Sequence, residues 1–393
     1  MNGCGLYVHV PFCDSKCGYC DFYSVALKGR SAGPLVTRTI QELGLRTLGG
    51  AAIETVFVGG GTPTVLPIDD FRRLFAALDG VVGAHAVVEF TVEANPATLD
   101  DQKLSVMTAA GVNRLSMGAQ SWHVDELAAL ERLHSPDDIA PGVAMARRHG
   151  IGNINLDLIF GIPGQTVQRW AESLRRTIDL GVEHIACYGL TYEPGTRLTA
   201  QRAAGRVTPC DDGIETDMYG VALETLAQNG YGQYEISNFA RAGGACRHNM
   251  MYWRNRSYIG VGPSAAGCVN RRRYKNVADV AGYIRRMDAD GMAEAESEHL
   301  TREMFAGEML LMQLRLTDGL DVTAFRQATG LETGSAFGGR LDDFAERGLL
   351  RITEDGIALT WAGTLAADWV IAELYAAMDL SGAESQHVAS AIG

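Results

Sequence analysis

What the chain lacks sets the first limits on what it can be. No run of about 18 consecutive apolar residues occurs, which argues against a membrane-spanning helix. The first 30 residues carry no basic start, apolar centre or small-residue cleavage site of a secretory signal, so a cytoplasmic protein is expected. A basic surface is missing too: the formal net charge of −13 disfavours nucleic acid or another polyanion as the main partner. The one basic run, Arg271-Arg272-Arg273 with Lys275, is short. It reads as a hairpin rim, with contact to an anionic ligand or a lipid head group left open. With no export signal, eight cysteines point to a reducing compartment, where clustered thiols serve metal binding or catalysis more often than disulfides.

What is present is ample core material: 47% of 393 residues are hydrophobic, enough for one large domain and a smaller one. From residue 5 to about 195, short β-like runs alternate with helical patterns. Strands are expected over Gly5–Val10, Thr55–Val58, Val88–Val92, Arg114–Met117, Asn153–Phe160 and His184–Leu190. Helices are expected over Pro34–Leu48, Asp69–Leu78, Asp101–Ala110 and Val167–Leu180. Repeated strand–helix units predict an α/β fold with a parallel sheet, a partial (β/α)6 version of the TIM-like barrel whose chemistry collects at the carboxyl ends of the strands. Glycine-rich or polar loops follow those ends, at Gly59-Gly60-Gly61-Thr62-Pro63, Gly118-Ala119-Gln120 and Gly161-Ile162-Pro163-Gly164.

After about residue 200 the rhythm changes, and the expected division is a barrel over 1–230, an extension over 231–299, a C-terminal domain over 300–380 and a mobile tail over 381–393. Helical patterns at Arg302–Leu314, Val322–Ala328 and Gly338–Arg347, then the hairpin-like "LLRITEDGIALT" and a last helix, suggest a winged-helix-like module. Residues 301–393 hold six Arg and no Lys against fourteen Asp and Glu, so a protein-contact or lid role is expected there rather than DNA reading.

The densest chemical signal is "PFCDSKCGYCDFY", residues 11–23, with Cys13, Cys17 and Cys20 in a CxxxCxxC spacing. Thiolates suit zinc or an iron–sulfur cluster. A structural zinc site commonly uses two separated cysteine pairs, and no second CxxC exists, so zinc is the weaker reading. A cubane held by three thiolates leaves one iron open to an outside ligand.

With that spacing, the Asp21-Phe22 that follows it and the downstream Gly-Gly-Gly-Thr-Pro, the chain resembles the radical S-adenosylmethionine superfamily. There the amino and carboxylate groups of S-adenosylmethionine chelate the open iron of a 4Fe-4S cluster. An electron from the cluster then splits the sulfonium to methionine and a 5′-deoxyadenosyl radical. The resemblance implies cluster ligation by Cys13, Cys17 and Cys20. It also implies cofactor contacts by Tyr7, Tyr19, Gly60, Gly61 and Thr62, with Glu93 accepting ribose hydroxyls, Gln120 and Arg132 on polar and carboxylate groups, and Asp157 at the rim. Tyr7 and His9 share one face of the first strand, and glycines let backbone approach a ligand closely. The bland alternative, that such glycines and carboxylates only punctuate an α/β fold, applies to each motif taken singly.

Nearly the whole chain, from "GLYVHVPFCDSKCGYCDF" through "GGGTPTVL", "VEANPATL", "GVNRLSMGAQSWHVDELAALERLHS", "NLDLIFGIPGQT" and "YEISNFA" to "CRHNMMYW" and "YIGVGPSAAG", is similar in order to the HemN/HemW group. That group includes oxygen-independent coproporphyrinogen III dehydrogenase. The dehydrogenase has a fourth cysteine where this chain has Phe22. The HemW branch carries HNxxYW, here His248-Asn249-Met250-Met251-Tyr252-Trp253. The resemblance implies a heme chaperone with His248 at the heme, heme-accepting proteins as partners, a reductant such as a flavodoxin or ferredoxin, and transient membrane association. The runner-up is a porphyrinogen oxidase, or a methyl- or cyclopropane-forming enzyme. Whether S-adenosylmethionine is cleaved, whether a second molecule binds, and the oligomeric state stay open. Where the branch reads Gly-Pro-Gly-Ala-His, this chain reads Gly262-Pro263-Ser264-Ala265-Ala266, so Ala266 stands at a cofactor-rim position without the imidazole.

Overall fold

A computed structural model describes residues 3–48 and 51–378; the tail expected to be mobile, 381–393, lies outside them. Six strands, β1 (Cys4–Val10), β2 (Ile53–Gly60), β3 (Glu89–Ala94), β4 (Arg114–Gln120), β5 (Asn153–Phe160) and β6 (His184–Gly189), lie parallel and in chain order. Their alternation explains the packing. Leu6 and Val8, Val56 and Val58, Phe90 and Val92, Leu115 and Met117 are buried toward the helices, in one continuous core. The intervening residues face the barrel interior and are mostly polar. Helices α1 (Gly33–Thr47), α2 (Ile68–Ala84), α3 (Asp101–Ala109), α4 (Ile139–Arg148), α5 (Val167–Asp179) and α6 (Asp212–Gln228) follow the six strands in turn. Several starts carry the capping residue their sequence announces: Asp100 accepts from the Lys103 N–H at 2.8 Å and Asp211 from the Gly213 N–H at 2.9 Å.

The 231–299 extension feeds both edges of the same sheet. β7 (Gly232–Glu235) and β8 (Asn238–Ala240) run antiparallel beyond β6. α7 (Arg247–Trp253) then crosses to the other edge, where β9 (Tyr258–Val261) pairs with β1 as a seventh parallel strand. The sequence reading had not placed this strand. β10 (Ala266–Val269), β11 (Arg272–Asn276) and β12 (Glu294–His299) continue antiparallel, after which the twelve-stranded sheet stays open.

The basic run sits on this edge, at the hairpin expected of it. Asn270 and Arg271, at φ 51° and 62°, make the two-residue turn between β10 and β11. Arg272 pairs with Glu294, and Arg273 with Glu298 and Glu308, so two of the four charges are taken up within the protein, while Arg271 donates to the Ala328 carbonyl and Lys275 is exposed.

Beyond Leu300 a separate core around Leu310, Phe325, Phe337, Phe344, Ile357 and Leu374 joins helix, strand, helices and hairpin in the order expected of a winged-helix-like module. One helix begins later than expected. Gly338, at φ 57°, ends a short helix over Thr333–Phe337, and the next starts only at Arg340. No helix among the described residues is long and apolar enough to cross a membrane.

Candidate functional site at the carboxyl rim of the barrel

The strand ends surround a cavity of about 510 Å³. β1 delivers the cysteine loop. Its start is pinned by the glycine loop after β2: the Gly61 N–H donates to the Val10 carbonyl at 2.8 Å and the Thr62 N–H to the Phe12 carbonyl at 2.7 Å. The loop's far side is held by the Gly18 carbonyl, which accepts from the Leu198 N–H at 2.8 Å, and by Arg197 and Glu131. Cys13, Cys17, Cys20 and Tyr19 all line the cavity, and the three thiols are free.

The three glycines are dictated by close approach. A Cβ on Gly59 would stand 2.6 Å from the Glu93 carboxylate, one on Gly60 2.3 Å from the His9 ring, and one on Gly61 2.5 Å from the Phe12 carbonyl oxygen. Gly60 also has φ 103°, open only to glycine at little cost. Its N–H donates to Glu93 Oε2 at 3.0 Å, which fixes that carboxylate at the cavity wall. Burial holds Glu93 up at about 7, with the Gly60 N–H opposing and Asp157 adding to the rise. Burial likewise raises Asp157, against the pull of the Asn155 amide.

Across the mouth, Arg132 donates to Cys17 Sγ at 3.5 Å and to the Gly118 carbonyl at 2.7 Å, while Thr62 donates to Cys13 Sγ at 3.6 Å. Gln120 lines the cavity at φ 64°, where a bulge between Gly118 and Gln120 breaks the pairing with β5. A non-glycine residue held in the left-handed region at a cavity wall is strain of the kind that functional sites keep.

Burial raises the Cys13 thiol, partly offset by Thr62, and pushes Cys20 up to about 11. Only a bound cation's charge would ionise such thiols at neutral pH. Among the described residues no three His, Cys, Asp or Glu side chains converge on a single-ion site. Three thiols on one rim with no fourth such ligand beside them among the described residues suit a cluster with an open iron better than a structural zinc site, which closes with four ligands.

Eleven of the residues implied by the sequence therefore meet at one cavity: the three cysteines with Tyr19, then Gly60, Gly61, Thr62 and Glu93, then Gln120, Arg132 and Asp157. Three do not. Tyr7 is turned from the cavity toward His9, donating to Nδ1 at 3.0 Å, while His9 Nε2 donates to the Tyr23 carbonyl at 3.0 Å. Ala266 opens β10 opposite Lys275 and packs its carbonyl where a Gly260 side chain would stand.

His248 is the clearest departure. It is 1% exposed, its Nδ1 bonds the Thr55 hydroxyl at 2.8 Å and its Nε2 the Tyr252 hydroxyl at 2.9 Å. Burial and the Arg114 charge drop its pKa to about 3. Neither ring nitrogen is available to an iron. The reason is the path of α7, which closes the amino end of the barrel. The Arg247 and His248 N–H groups bind the Glu89 carboxylate at 2.8 and 2.9 Å, and Met251 and His248 pack where Gly5 has no side chain. Of the HNxxYW signature, it is Asn249 that lines the cavity.

Arg114, Ser116, Asn155, His184 and Asn238 also line the cavity and were not singled out in the sequence. The usable signal was polar residues at period two inside otherwise apolar strands, as in Arg114-x-Ser116-x-Gly118 and Asn153-x-Asn155-x-Asp157.

Comparison with known proteins shows the family. The Radical SAM superfamily model matches residues 7–177 and the HemN C-terminal domain model residues 300–366. The chain is 34% identical over 368 residues to "Heme chaperone HemW" of Bacillus subtilis, covering 93% of this chain and 97% of that one. It is 34% identical over 379 residues to the protein of the same name in Mycobacterium tuberculosis H37Rv, covering 94% of each. A mouse relative, "Radical S-adenosyl methionine domain-containing protein 1, mitochondrial", is 31% identical over 382 residues, covering 94% and 86%. Coproporphyrinogen III oxidase (HemN) from Escherichia coli superposes with a TM-score of 0.81 at 24% identity, over 96% of this chain and 90% of that one, which shows a shared fold. The chain belongs to the radical S-adenosylmethionine superfamily and, within it, to the family of the HemW proteins.

Proposed function

We propose that this chain is a HemW-like heme chaperone that binds heme and passes it to heme-requiring proteins in the cytoplasm, using a 4Fe-4S cluster and S-adenosylmethionine. The observation that carries the cofactor half is the convergence of three free thiols, a glycine loop and two buried carboxyls on one cavity. The relatives named as heme chaperones, matched over most of their length, support the heme half.

When bound, the cluster and S-adenosylmethionine supply one-electron chemistry at the sulfonium. The chain's own residues bind and orient. Cys13, Cys17 and Cys20 would hold the cluster, with Arg132 and Thr62 donating to two of the sulfurs and steadying their negative charge. Glu93, fixed by the Gly60 N–H, presents an acceptor to ribose hydroxyls. Gln120 and Arg132 would take polar groups of the cofactor, and Asp157, on β5, would border it; all three line the cavity. Phe22 and Leu133, 63% and 69% exposed at the mouth, offer the apolar contact that a porphyrin face needs. His248 has no part in this reading of the heme site. A flavodoxin- or ferredoxin-type reductant and heme-accepting proteins are the partners it requires. Membrane contact would need a surface other than the Arg271–Arg273 run.

The test is anaerobic titration of the reconstituted protein with heme, with and without S-adenosylmethionine. A saturable Soret shift upholds the chaperone reading, and its absence refutes it. Oxidative decarboxylation of coproporphyrinogen III by the purified protein would replace it with the enzyme reading.

A further inference from the structure

The floor of the cavity holds a cation that the cofactor site does not use. Arg114 opens β4 with its side chain in the barrel interior, lines the cavity, and is 2% exposed. Its Nε is buried with no hydrogen-bond partner, and no carboxylate stands at ion-pair distance from it among the described residues. A guanidinium carries five donors and stays charged, so one left unpaired in a buried place is costly.

Its row of the interior repeats the pattern. Thr91 is its cross-strand neighbour on β3 and Asn153 on β5, and Thr91 Oγ1 and Asn153 Oδ1 are also buried without partners. Neither of those two lines the cavity, so the unsatisfied group that a bound ligand can reach is the Arg114 guanidinium itself. The nearest acids are otherwise engaged. Both Glu89 oxygens accept from the start of α7, and Asp157 accepts from Asn155 at 2.7 Å. Three amides line the same cavity; those of Asn155 and Asn238 already donate to Ser116, Asp157 and Glu235, which leaves Asn249, from α7. A planar fork of donors with an amide beside it is what recognises a carboxylate.

We propose that the floor of the cavity is a carboxylate-binding subsite, in which Arg114 takes the anion and the Asn249 amide, carried there by α7, stands beside it. The ligand class is a short monocarboxylate, either a free acid or the arm of a larger molecule seated at the mouth. The HNxxYW helix then has a division of labour: His248 and Tyr252 lock it in place and Asn249 meets the ligand. The subsite stands whether or not heme binds.

The probe is [1-13C]propionate added to the full-length protein, with [1-13C]propionamide as the neutral control. Wild type broadens the propionate carboxylate line and leaves the amide line sharp. Asn249→Ala reduces the broadening several-fold and Arg114→Gln abolishes it. Broadening that is absent in wild type, or equal in Arg114→Gln, overturns the subsite. Stability gives a second reading. Arg114 Nε has no hydrogen-bond partner to lose, and Glu89 and Asp157 act on the charge only at a distance, so the urea midpoint of ligand-free Arg114→Gln stays close to that of wild type. A large fall in that midpoint, together with full broadening by Asn249→Ala, makes Arg114 a structural residue and sinks the proposal. Competition identifies the source. Displacement of propionate by heme but not by heme dimethyl ester assigns the carboxylate to a porphyrin arm. Displacement by neither assigns it to a free acid, and both results uphold the subsite. A wild type that broadens propionate but binds no heme refutes the chaperone reading alone.

Discussion

The two ends of the barrel interior are lined by the same kinds of residue and are put to opposite use. At the carboxyl rim, Thr62 and Arg132 reach the Cys13 and Cys17 sulfurs at 3.6 and 3.5 Å, ordinary lengths for sulfur, and the three thiols keep their remaining capacity toward an open cavity. At the amino end, Thr55, Glu89, His248 and Tyr252 are saturated by one another and by the N–H groups of α7 at 2.8 to 2.9 Å. A polar side chain inside a barrel is therefore not a site by virtue of its type. It is one only where the protein leaves its hydrogen bonding incomplete.

That contrast can be broken or sharpened by substitution. The largest effect is expected at the rim. Cys13→Ala combined with Cys17→Ala and Cys20→Ala should remove all the cluster absorbance, about four irons per chain, while far-ultraviolet dichroism of the apoprotein is unchanged. Retained iron in the triple variant would undo the assignment. Under α7, around His248, the reverse holds. His248→Ala leaves the Thr55 and Tyr252 hydroxyls unpaired in a dry core and should cost about 3 kcal/mol in urea unfolding, with the heme Soret response intact. A lost Soret response in a folded His248→Ala protein would return the heme to that ring.

Glu93 tests the trade between the two uses. Held at about 7 against an ordinary 4.5, it keeps a proton in the folded chain that the unfolded chain has released, so stability falls as pH rises between those values. Glu93→Gln should raise apoprotein stability at pH 8 by on the order of 2 kcal/mol and flatten that pH dependence. The same variant should weaken S-adenosylmethionine binding roughly tenfold, the loss of about one charge-assisted hydrogen bond. Calorimetry across pH 5 to 8 measures both. Gly60→Ala, forced to φ 103° with its Cβ against His9, should destabilise by about 2 kcal/mol and disturb Glu93 with it. The smallest effect belongs to the outer edge, where Arg272→Gln breaks a half-exposed ion pair worth under about 1 kcal/mol.

Much of this was legible from residues alone. The strand over Asn153–Phe160 was read with its observed ends, and the other five barrel strands within a few residues, because apolar alternation against helices is a local pattern. The cysteine spacing and the glycine loop were legible for the same reason. β9 was missed because "YIGV" is four residues long and runs at once into Gly262-Pro263, which reads as a turn. The burial of His248 is not legible in the sequence, because its partner Thr55 lies 193 residues away and nothing near the motif announces it. Arg114 was overlooked because a lone arginine at a strand start has no local mark to separate it from a surface charge.

The division between sequence and structure follows the range of the interaction. Cys13, Cys17 and Cys20 lie within eight residues, so chain connectivity alone holds them on one loop, and the type of ligand they suit is chemistry that needs no fold. Which face of the HNxxYW helix meets the cavity was decided by the path of the chain from one sheet edge to the other. That path brings Glu89, Thr55 and Arg114, from three different strands, against one short helix. It buries His248 and leaves Asn249 facing the cavity.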